Sequence, residues 1–488
     1  MTVMDPTPPA PRDPAAAARA PAEADARSFA RLNLTPAALA NLQQLGYLQM
    51  TAVQAASLPL ALAGQDLIVQ AATGSGKTAA FALALLARLQ AGASHTQALV
   101  LCPTRELADQ VTLEIRRLAR AEDNTKVLAL CGGTPIKPQA DSLAHGAQVV
   151  VGTPGRLLDH LQRGSLDLTR LVTLVLDEAD RMLDMGFVDD IATLTAACPR
   201  TRQTLLFSAT YPDGIADLAR RFMRQPQTLT LDAKPPEGSI RQRFYQVLDA
   251  QRLHAVGLLL NHYRPARTLA FCNTRQQCRD LVAVLRAQGI AALALHGDLE
   301  QRDRDQVLVQ FANRSCPVLV ATDVAARGLD IAELEAVINV DVTPEAEQHT
   351  HRIGRTGRAG AQGWAFSLAS LDEMGRVGRI DHLQGGESPW HELTELTPTG
   401  SGPLTAPMVT LQILGGRKEK IRAGDVLGAL TGEAGMPGSA IGKINVNDFS
   451  TYVAVESSRA AQALAALNQV KVKGKRVKAR EVMPDQAD

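Results

Sequence analysis

The sequence predicts an α/β protein of two parallel-sheet lobes in tandem, followed by a smaller α+β module. Three observations carry that prediction. Between Ala30 and Leu368, short aliphatic or β-branched runs alternate with longer helical stretches, the pattern of strands joined by crossover helices. The alternation occurs as two successive series, separated near Ala233 to Gly238 by Lys-Pro-Pro-Glu-Gly, a string unsuited to a central strand or a helix interior. After a segment rich in Thr, Pro, Gly and Ser at Thr397 to Pro407, the order changes to β-α-β-β-α-β. A chain of 488 residues suits about three such units.

In the first series the predicted strands are Asp66 to Gln70, Ala98 to Cys102, Lys126 to Leu130, Gln148 to Val151, Thr173 to Leu176 and Thr204 to Phe207. In the second they are Thr268 to Cys272, Ala291 to Leu295, Val318 to Ala321, Ala336 to Val340 and Trp364 to Leu368. The third unit reads as strand Met408 to Leu414, helix Ala423 to Leu430, strands Ala440 to Val446 and Thr451 to Val455, helix Ser458 to Leu467 and strand Arg476 to Glu481. That order is the ferredoxin-like one of RNA-recognition modules. The expected organisation is therefore a disordered Ala/Pro-rich tail over 1–27, lobes over 28–233 and 239–396, a linker over 397–407 and the module over 408–483.

Composition narrows the function. The most apolar helix-like run, Thr78 to Gln90, is too short to span a bilayer and contains Arg88, so a membrane protein is not expected. The N-terminal tail lacks the apolar centre of a signal peptide, which points to the cytoplasm. Six cysteines without a C-x-x-C pair suit neither zinc nor disulfides. Formal charge is +1, yet the residues from Pro403 onward carry 12 basic and 8 acidic side chains, leaving 39 against 42 before them. Six of those basic groups fall within Lys471 to Arg480, as a solvated face or a phosphate-facing patch.

The chemistry starts after the first strand. Ala71-Ala72-Thr73-Gly74-Ser75-Gly76-Lys77-Thr78 opens a helix as a phosphate-binding loop: glycines let backbone N–H groups close around phosphates, Lys77 reaches the β and γ phosphates and the Thr78 hydroxyl can ligate Mg²⁺. Further on, the apolar strand Leu174 to Leu176 runs into Asp177-Glu178-Ala179-Asp180. Carboxylates at the end of a buried strand are costly without a cation, so Asp177 is placed to hold Mg²⁺ and Glu178 to deprotonate the attacking water. An acidic helix cap is the plainer reading of those four residues, weakened by the phosphate loop upstream.

With these residues in order, the chain resembles a DEAD-box RNA helicase from roughly Ser28 to Leu368. The resemblance implies two RecA-like lobes that close on ATP and single-stranded RNA, with Phe29 stacking on the adenine and Gln54, in Met50-Thr51-Ala52-Val53-Gln54, bonding its edge. Pro103 to Ala108 with Arg105, Gly132-Gly133, and Thr153-Pro154-Gly155-Arg156 match the family's RNA-backbone motifs in the first lobe. Asn273-Thr274, His296-Gly297-Asp298 and Ala321-Thr322-Asp323 match those of the second. Ser208-Ala209-Thr210 would bond to Asp180 and couple hydrolysis to lobe movement. Asp330 would hold the ribose. Three arginines in His351 to Arg358 suit an anion-binding loop, and by resemblance Arg355 and Arg358 are arginine fingers on the γ-phosphate. His351 reads equally well as a satisfied interface histidine or a catalytic one.

The C-terminal module resembles that of the DbpA subgroup of bacterial DEAD-box proteins, through Gly415-Gly416-Arg417-Lys418, Ile421 to Gly432, Ile441 to Ile444 and Tyr452 to Val455. The subgroup's role implies a 23S rRNA hairpin, bound during large-subunit assembly, as the RNA partner. No stable protein partner is implied. With Tyr452 as the lone aromatic of its strand, binding is expected to lean on Lys443, Lys473, Lys475 and Arg476. A general RNA chaperone in RNA decay or cold adaptation is the alternative role. The Gln54 element and Asp-Glu-Ala-Asp spelling disfavour a DNA-directed helicase, and intact Lys77, Glu178 and Arg355 disfavour an RNA-binding scaffold with a dead ATPase site.

Overall fold

The computed structural model describes residues 27–72, 74–90, 92–121, 124–211, 213–231, 239–326, 334–357, 362–400 and 402–482. The expected hinge at Ala233 to Gly238 and the tail before Arg27 lie outside the described residues. The chain divides into two compact units between Ala233 and Lys234.

The first unit holds a seven-stranded parallel sheet in the order β3-β4-β2-β5-β6-β1-β7. Its strands are β1 (Leu67–Ala71), β2 (Ala98–Leu101), β3 (Val127–Leu130), β4 (Val149–Gly152), β5 (Thr173–Leu176), β6 (Gln203–Ser208) and β7 (Gln227–Leu231). The central strands are aliphatic runs buried on both faces, as a helix-covered parallel sheet requires. The helix Lys77–Leu86 is buried at every position but Thr78, because it packs between helices Ala52–Leu62 and Arg105–Leu118. Arg105–Leu118 instead buries Ala108, Val111, Thr112, Ile115 and Leu118, the one-sided spacing of a surface helix.

The second unit contains another seven-stranded parallel sheet, ordered β10-β11-β9-β12-β13-β8-β14. It is built from β8 (Ile240–Gln246), β9 (Thr268–Cys272), β10 (Ala292–Leu295), β11 (Val318–Thr322), β12 (Ala336–Asn339), β13 (Gly363–Ala369) and β14 (Trp390–His391). The same unit carries the C-terminal module, whose four-stranded antiparallel sheet runs β16-β17-β15-β20 from β15 (Met408–Ile413), β16 (Ile441–Val446), β17 (Thr451–Glu456) and β20 (Ala479–Glu481). The expected last strand, Arg476 to Glu481, divides: β18 (Lys471–Val472) and β19 (Lys475–Arg476) form a separate hairpin around Gly474, and only Ala479–Glu481 joins the sheet.

Segment 397–407 is packed against the second lobe. Leu404 is buried in the same core as Leu396, Arg264 donates to the Gly402 and Pro403 carbonyls (3.1 and 3.4 Å), and Thr399 donates to the His262 carbonyl at 2.6 Å. A polar seam then joins module to lobe. Thr410 Oγ1 on β15 meets Asn313 Nδ2 at 3.2 Å and Ser315 Oγ at 2.6 Å, and Asn445 Nδ2 on β16 donates to Asn313 Oδ1 at 3.2 Å. All six cysteines are buried free thiols.

Candidate nucleotide and nucleic-acid site

In each lobe the singled-out motifs sit where strands end and helices begin, along the carboxyl edge of the sheet, where open α/β sheets bind ligands. Sheet order sorts them. In the first lobe β5, β6 and β1 are neighbours and carry the acidic tetrad, the Ser-Ala-Thr segment and the phosphate loop, while β3, β4 and β2 carry Gly133, Thr153 to Arg156 and Arg105. The second lobe repeats the partition: Asn273, Gly297 and Thr322 follow β9, β10 and β11 on one half, and the helix Ala346–Ile353, leading to Arg355, follows β12 on the other.

The phosphate loop is held open by two left-handed glycines, Gly74 (φ +80°) and Gly76 (φ +93°). A Cβ on Gly76 would stand 2.7 Å from Gln54 Nε2 and 3.0 Å from Thr51 Oγ1, so only glycine fits there. Gln54 itself is buried: its Oε1 accepts from the Thr51 N–H at 2.9 Å in a capping box, and its Nε2 donates to the Gly76 carbonyl at 3.2 Å. The residue expected to read adenine therefore also braces the phosphate loop. Phe29 is buried in the same core, edge-on to Tyr47. Ser75 Oγ closes the turn onto the Ala72 carbonyl at 2.7 Å. Thr73 lies outside the described residues; Thr78 follows Lys77 in the first turn, half-buried.

Lys77 Nζ is buried and donates to the Ala71 carbonyl at 2.7 Å. Burial pushes its pKa down, while Asp177, Glu178 and Asp180 pull it up. Burial, and then Glu178, raises Asp177 to about 7 against the pull of Lys77 and of the Glu178 N–H, which donates to it at 3.0 Å. A carboxylate this desolvated gains by meeting a cation. Glu178 adopts a left-handed backbone (φ 50°), a strain of about 1–3 kcal/mol of the kind that collects at functional sites. Its Oε2 pairs with Arg181 Nε at 3.4 Å without a hydrogen bond.

Asp180 is the best-satisfied member of the tetrad. Its Oδ2 accepts from the N–H groups of Ala209 (3.2 Å) and Thr210 (3.0 Å) and from the Thr210 hydroxyl (2.9 Å), while its own N–H donates to Ser208 Oγ at 3.3 Å. This ties the loop after β5 to the end of β6.

On the other half of the first lobe, Thr104 caps the helix that Arg105 opens, with Oγ1 accepting from the Leu107 N–H, and Arg105 pairs with Asp109 at 3.8 Å. Thr153 precedes the helix Pro154–Gln162, and its hydroxyl makes no capping bond. A Cβ on Gly155 would meet Asp190 Oδ2 at an ordinary contact distance of 3.8 Å. Arg156 is held by Gln139 Oε1 (2.9 Å) and the Thr134 carbonyl (3.0 Å), next to Gly133, which is left-handed at φ 74°. Gln139 also accepts from buried His160 at 3.0 Å, a histidine whose pKa burial lowers.

In the second lobe, Thr274 caps the helix Arg275–Ala287, and the Asn273 N–H donates to Asp341 Oδ2 at 3.0 Å. Gly297 has open space around it and Thr322 ends β11. Arg352 is engaged within its own lobe: its guanidinium grips the Asp323 carboxylate at 2.7 and 2.5 Å, donates to the Asp341 carbonyl at 2.8 Å and lies over the Phe271 ring. Arg355 is buried, and Asp330 and Arg358 lie outside the described residues. His351 is half-buried in the last helical turn before Gly354.

In the module, Lys443, Lys473 and Arg476 are exposed, and the Lys475 side chain lies outside the described residues. Tyr452 is only 5% exposed. Its hydroxyl accepts from Gln412 Nε2 at 3.0 Å, and it shares its sheet face with Gln412 and Thr410, the face that meets Asn313 and Ser315. Sequence reasoning did not anticipate four partnerships: Gln139 with Arg156, Asp323 with Arg352, Asp341 with Asn273, and the seam of Asn313. Each joins residues far apart along the chain, so no local spacing marks it.

Both the loop fit and the donor set suit a nucleotide with a hard cation. Among the described residues no cluster of three or more His, Cys, Asp or Glu is placed to hold a metal ion. Residues 51–218 match the DEAD/DEAH box helicase family, 251–360 the helicase conserved C-terminal domain, and 410–481 the DbpA RNA binding domain. The chain is 52% identical over 454 residues to the ATP-dependent RNA helicase DbpA of Escherichia coli, covering 93% of this chain and 99% of that one. It is 42% identical over 348 residues to the ATP-dependent RNA helicase CshA of Listeria monocytogenes, covering 71% and 67%. The structure of S. cerevisiae Dbp5 bound to RNA and ADP BeF3 is similar with a TM-score of 0.70 and 30% identity, covering 76% and 96%.

Proposed function

We propose, for a chain that belongs to the DEAD-box ATP-dependent RNA helicases, that it remodels 23S rRNA during assembly of the large ribosomal subunit and does so in the cytoplasm. The single observation behind the target is the C-terminal match: residues 410–481 belong with the DbpA RNA binding domain, and the identity to the E. coli protein runs through that domain as well as the helicase lobes. Backbone-directed contacts of the core select no sequence, so choice of RNA falls to the module.

The resemblance suggests the following roles, and the geometry of the described residues supports them where it reaches. Gly74, Ser75, Gly76 and Lys77, with Thr73, bind the ATP phosphates; Thr78 and Asp177 hold Mg²⁺; Gln54 and Phe29 take the adenine; Asp330 takes the ribose. Mg²⁺ supplies charge neutralisation at the phosphates when bound. Glu178 takes the proton of the attacking water, and Arg355 and Arg358 offset charge on the γ-phosphate. Arg105, Gly133, Thr153, Gly155, Arg156, Asn273, Thr274, Gly297 and Thr322 contact the RNA backbone. Asp180, Ser208 and Thr210 couple hydrolysis to lobe movement.

The test is ATPase activation by tiled 23S rRNA fragments and by poly(U), with the intact protein and a variant ending at Thr397. The intact protein is expected to respond to one fragment at far lower RNA concentration than to poly(U), and the truncated one to respond weakly and equally. Selectivity that survives truncation would overturn the assignment.

A further inference from the structure

The module's sheet face is taken up by the polar seam to the second lobe, so a base-stacking aromatic has to be sought elsewhere on it. One is present. Phe449 is 72% exposed, against 41% for Trp390 and 38% for Tyr211, and it stands in the turn between β16 and β17. An isolated exposed phenylalanine is unremarkable by itself. Its surroundings are not.

The turn bearing Phe449 is locked to the Gly415–Lys418 loop by two backbone bonds, Arg417 N–H to the Asn447 carbonyl (2.8 Å) and Lys418 N–H to the Asp448 carbonyl (3.0 Å). The approach is so close that a Cβ on Gly416 would stand 2.1 Å from the Asn447 oxygen. Arg417 Nη2 donates to the Val446 carbonyl at 2.8 Å. Lys420, next in the same loop, has a left-handed backbone, and its carbonyl accepts from Lys473 Nζ at 2.6 Å, which draws the Lys471–Arg476 hairpin to the same end. The neighbouring acids have partners: Glu419 accepts from the Gly416 N–H (2.7 Å), Asp425 accepts from the Arg422 N–H (2.8 Å) and lies 3.9 Å from Lys473, and Asp448 pairs with Arg417 (3.7 Å). The result is an exposed ring on a turn fastened to the loop that carries Arg417, Lys418 and Lys420, with Lys473 bonded to the same loop.

We propose that Phe449 is a base-stacking residue: it receives one unpaired base of a structured RNA while the surrounding cations meet the flanking phosphates. This rests on the reading of the module as an RNA binder and adds the residue and the recognised feature, an unpaired base in a loop or bulge. A ring held by a stiff turn loses little entropy on stacking, and a cationic rim matches the phosphates on either side of the base.

The experiment measures binding of the full-length protein and its F449A, F449L and F449W variants to two hairpins of equal length, one from 23S rRNA and one unrelated. Each carries a single 2-aminopurine in its loop. Because the ring is exposed, all four proteins are expected to melt alike. F449A and F449L should bind at least one hairpin about tenfold more weakly and lose the fluorescence quenching, with F449W retaining both. Equal affinity of the parent and F449A for both hairpins would overturn the proposal. Absence of any preference for the 23S hairpin, with the Phe449 effect present on both, would overturn the ribosomal target and leave the stacking role supported.

Discussion

Thr210 grips Asp180 twice, through its backbone N–H at 3.0 Å and its hydroxyl at 2.9 Å, both on the same carboxylate oxygen. Only the hydroxyl bond can be deleted by a side-chain change. Thr210→Val keeps the shape and removes one of three donors to Oδ2, so ATP binding and the fold should persist. RNA-stimulated hydrolysis should fall less than strand separation, because the loop after β5 is loosened from β6 without loss of a nucleotide ligand. The two rates measured on the same duplex decide it, and equal loss in both would sink the idea of coupling.

Glu178→Gln should preserve ATP and RNA binding while slowing turnover by about 100-fold or more, since the water loses its base while Asp177 is untouched. The strained backbone of Glu178 is retained by glutamine, so melting temperature should change little. A variant that hydrolyses ATP at the parent rate refutes the assignment of Glu178 as base.

The second lobe carries an acid-sensitive histidine. His349 is buried, donates from Nε2 to Gln242 Oε1 at 3.2 Å and packs on the Phe244 ring; burial, then Arg352, pushes its pKa down to about 3. The folded form therefore prefers neutral imidazole. Its contribution to stability is fully present above an unfolded pKa of about 6.5 and is lost as pH falls from there toward 3, at up to about 1.4 kcal/mol per pH unit. His349→Gln removes that titration. Urea unfolding of both proteins at pH 7, 6 and 5 should show a shallower decline for the variant, and parallel declines would contradict the linkage.

Thr410→Val removes the hydroxyl that Asn313 and Ser315 share, at a buried position where valine fits the volume. Hairpin affinity and poly(U)-stimulated hydrolysis should stay near parent values, because neither surface is touched. What should change is the dependence of unwinding on the number of nucleotides between hairpin and duplex: a sharp optimum in the parent, a broad one in the variant. Superimposable spacing profiles would show that the seam does not set the distance.

Legibility in the sequence followed burial. Central strands such as Thr173–Leu176 and Thr268–Cys272 are aliphatic runs buried on both faces, and the sequence marks them to the residue. In the two lobes the strands it misses are β7, β8 and β14, at or next to sheet edges, where Gln227–Leu231 is largely exposed and Ile240–Gln246 carries Arg241 and Arg243. The phosphate loop, tetrad and Ser-Ala-Thr segment were legible because each is contiguous. Arg352 was not, since its role depends on Asp323 and Asp341 arriving from other strands. The burial of Tyr452, the lone aromatic of its strand, was not legible either, because alternation along β17 tells which face a residue takes and nothing about what lies across from it.

The packed segment after Leu396 and the seam at Thr410 turn a leash into a bracket. With a slack leash, the protein would explore many orientations around its anchored hairpin and the RNA could be of any shape. With a bracket, the orientational entropy has been spent in folding the protein, and the remaining freedom belongs to the RNA. Substrates whose hairpin and target helix are held at the matching angle by their own junction should then outperform floppy ones of equal affinity. A structured RNA would be engaged while that junction has the matching shape and released when later folding swings the helix away.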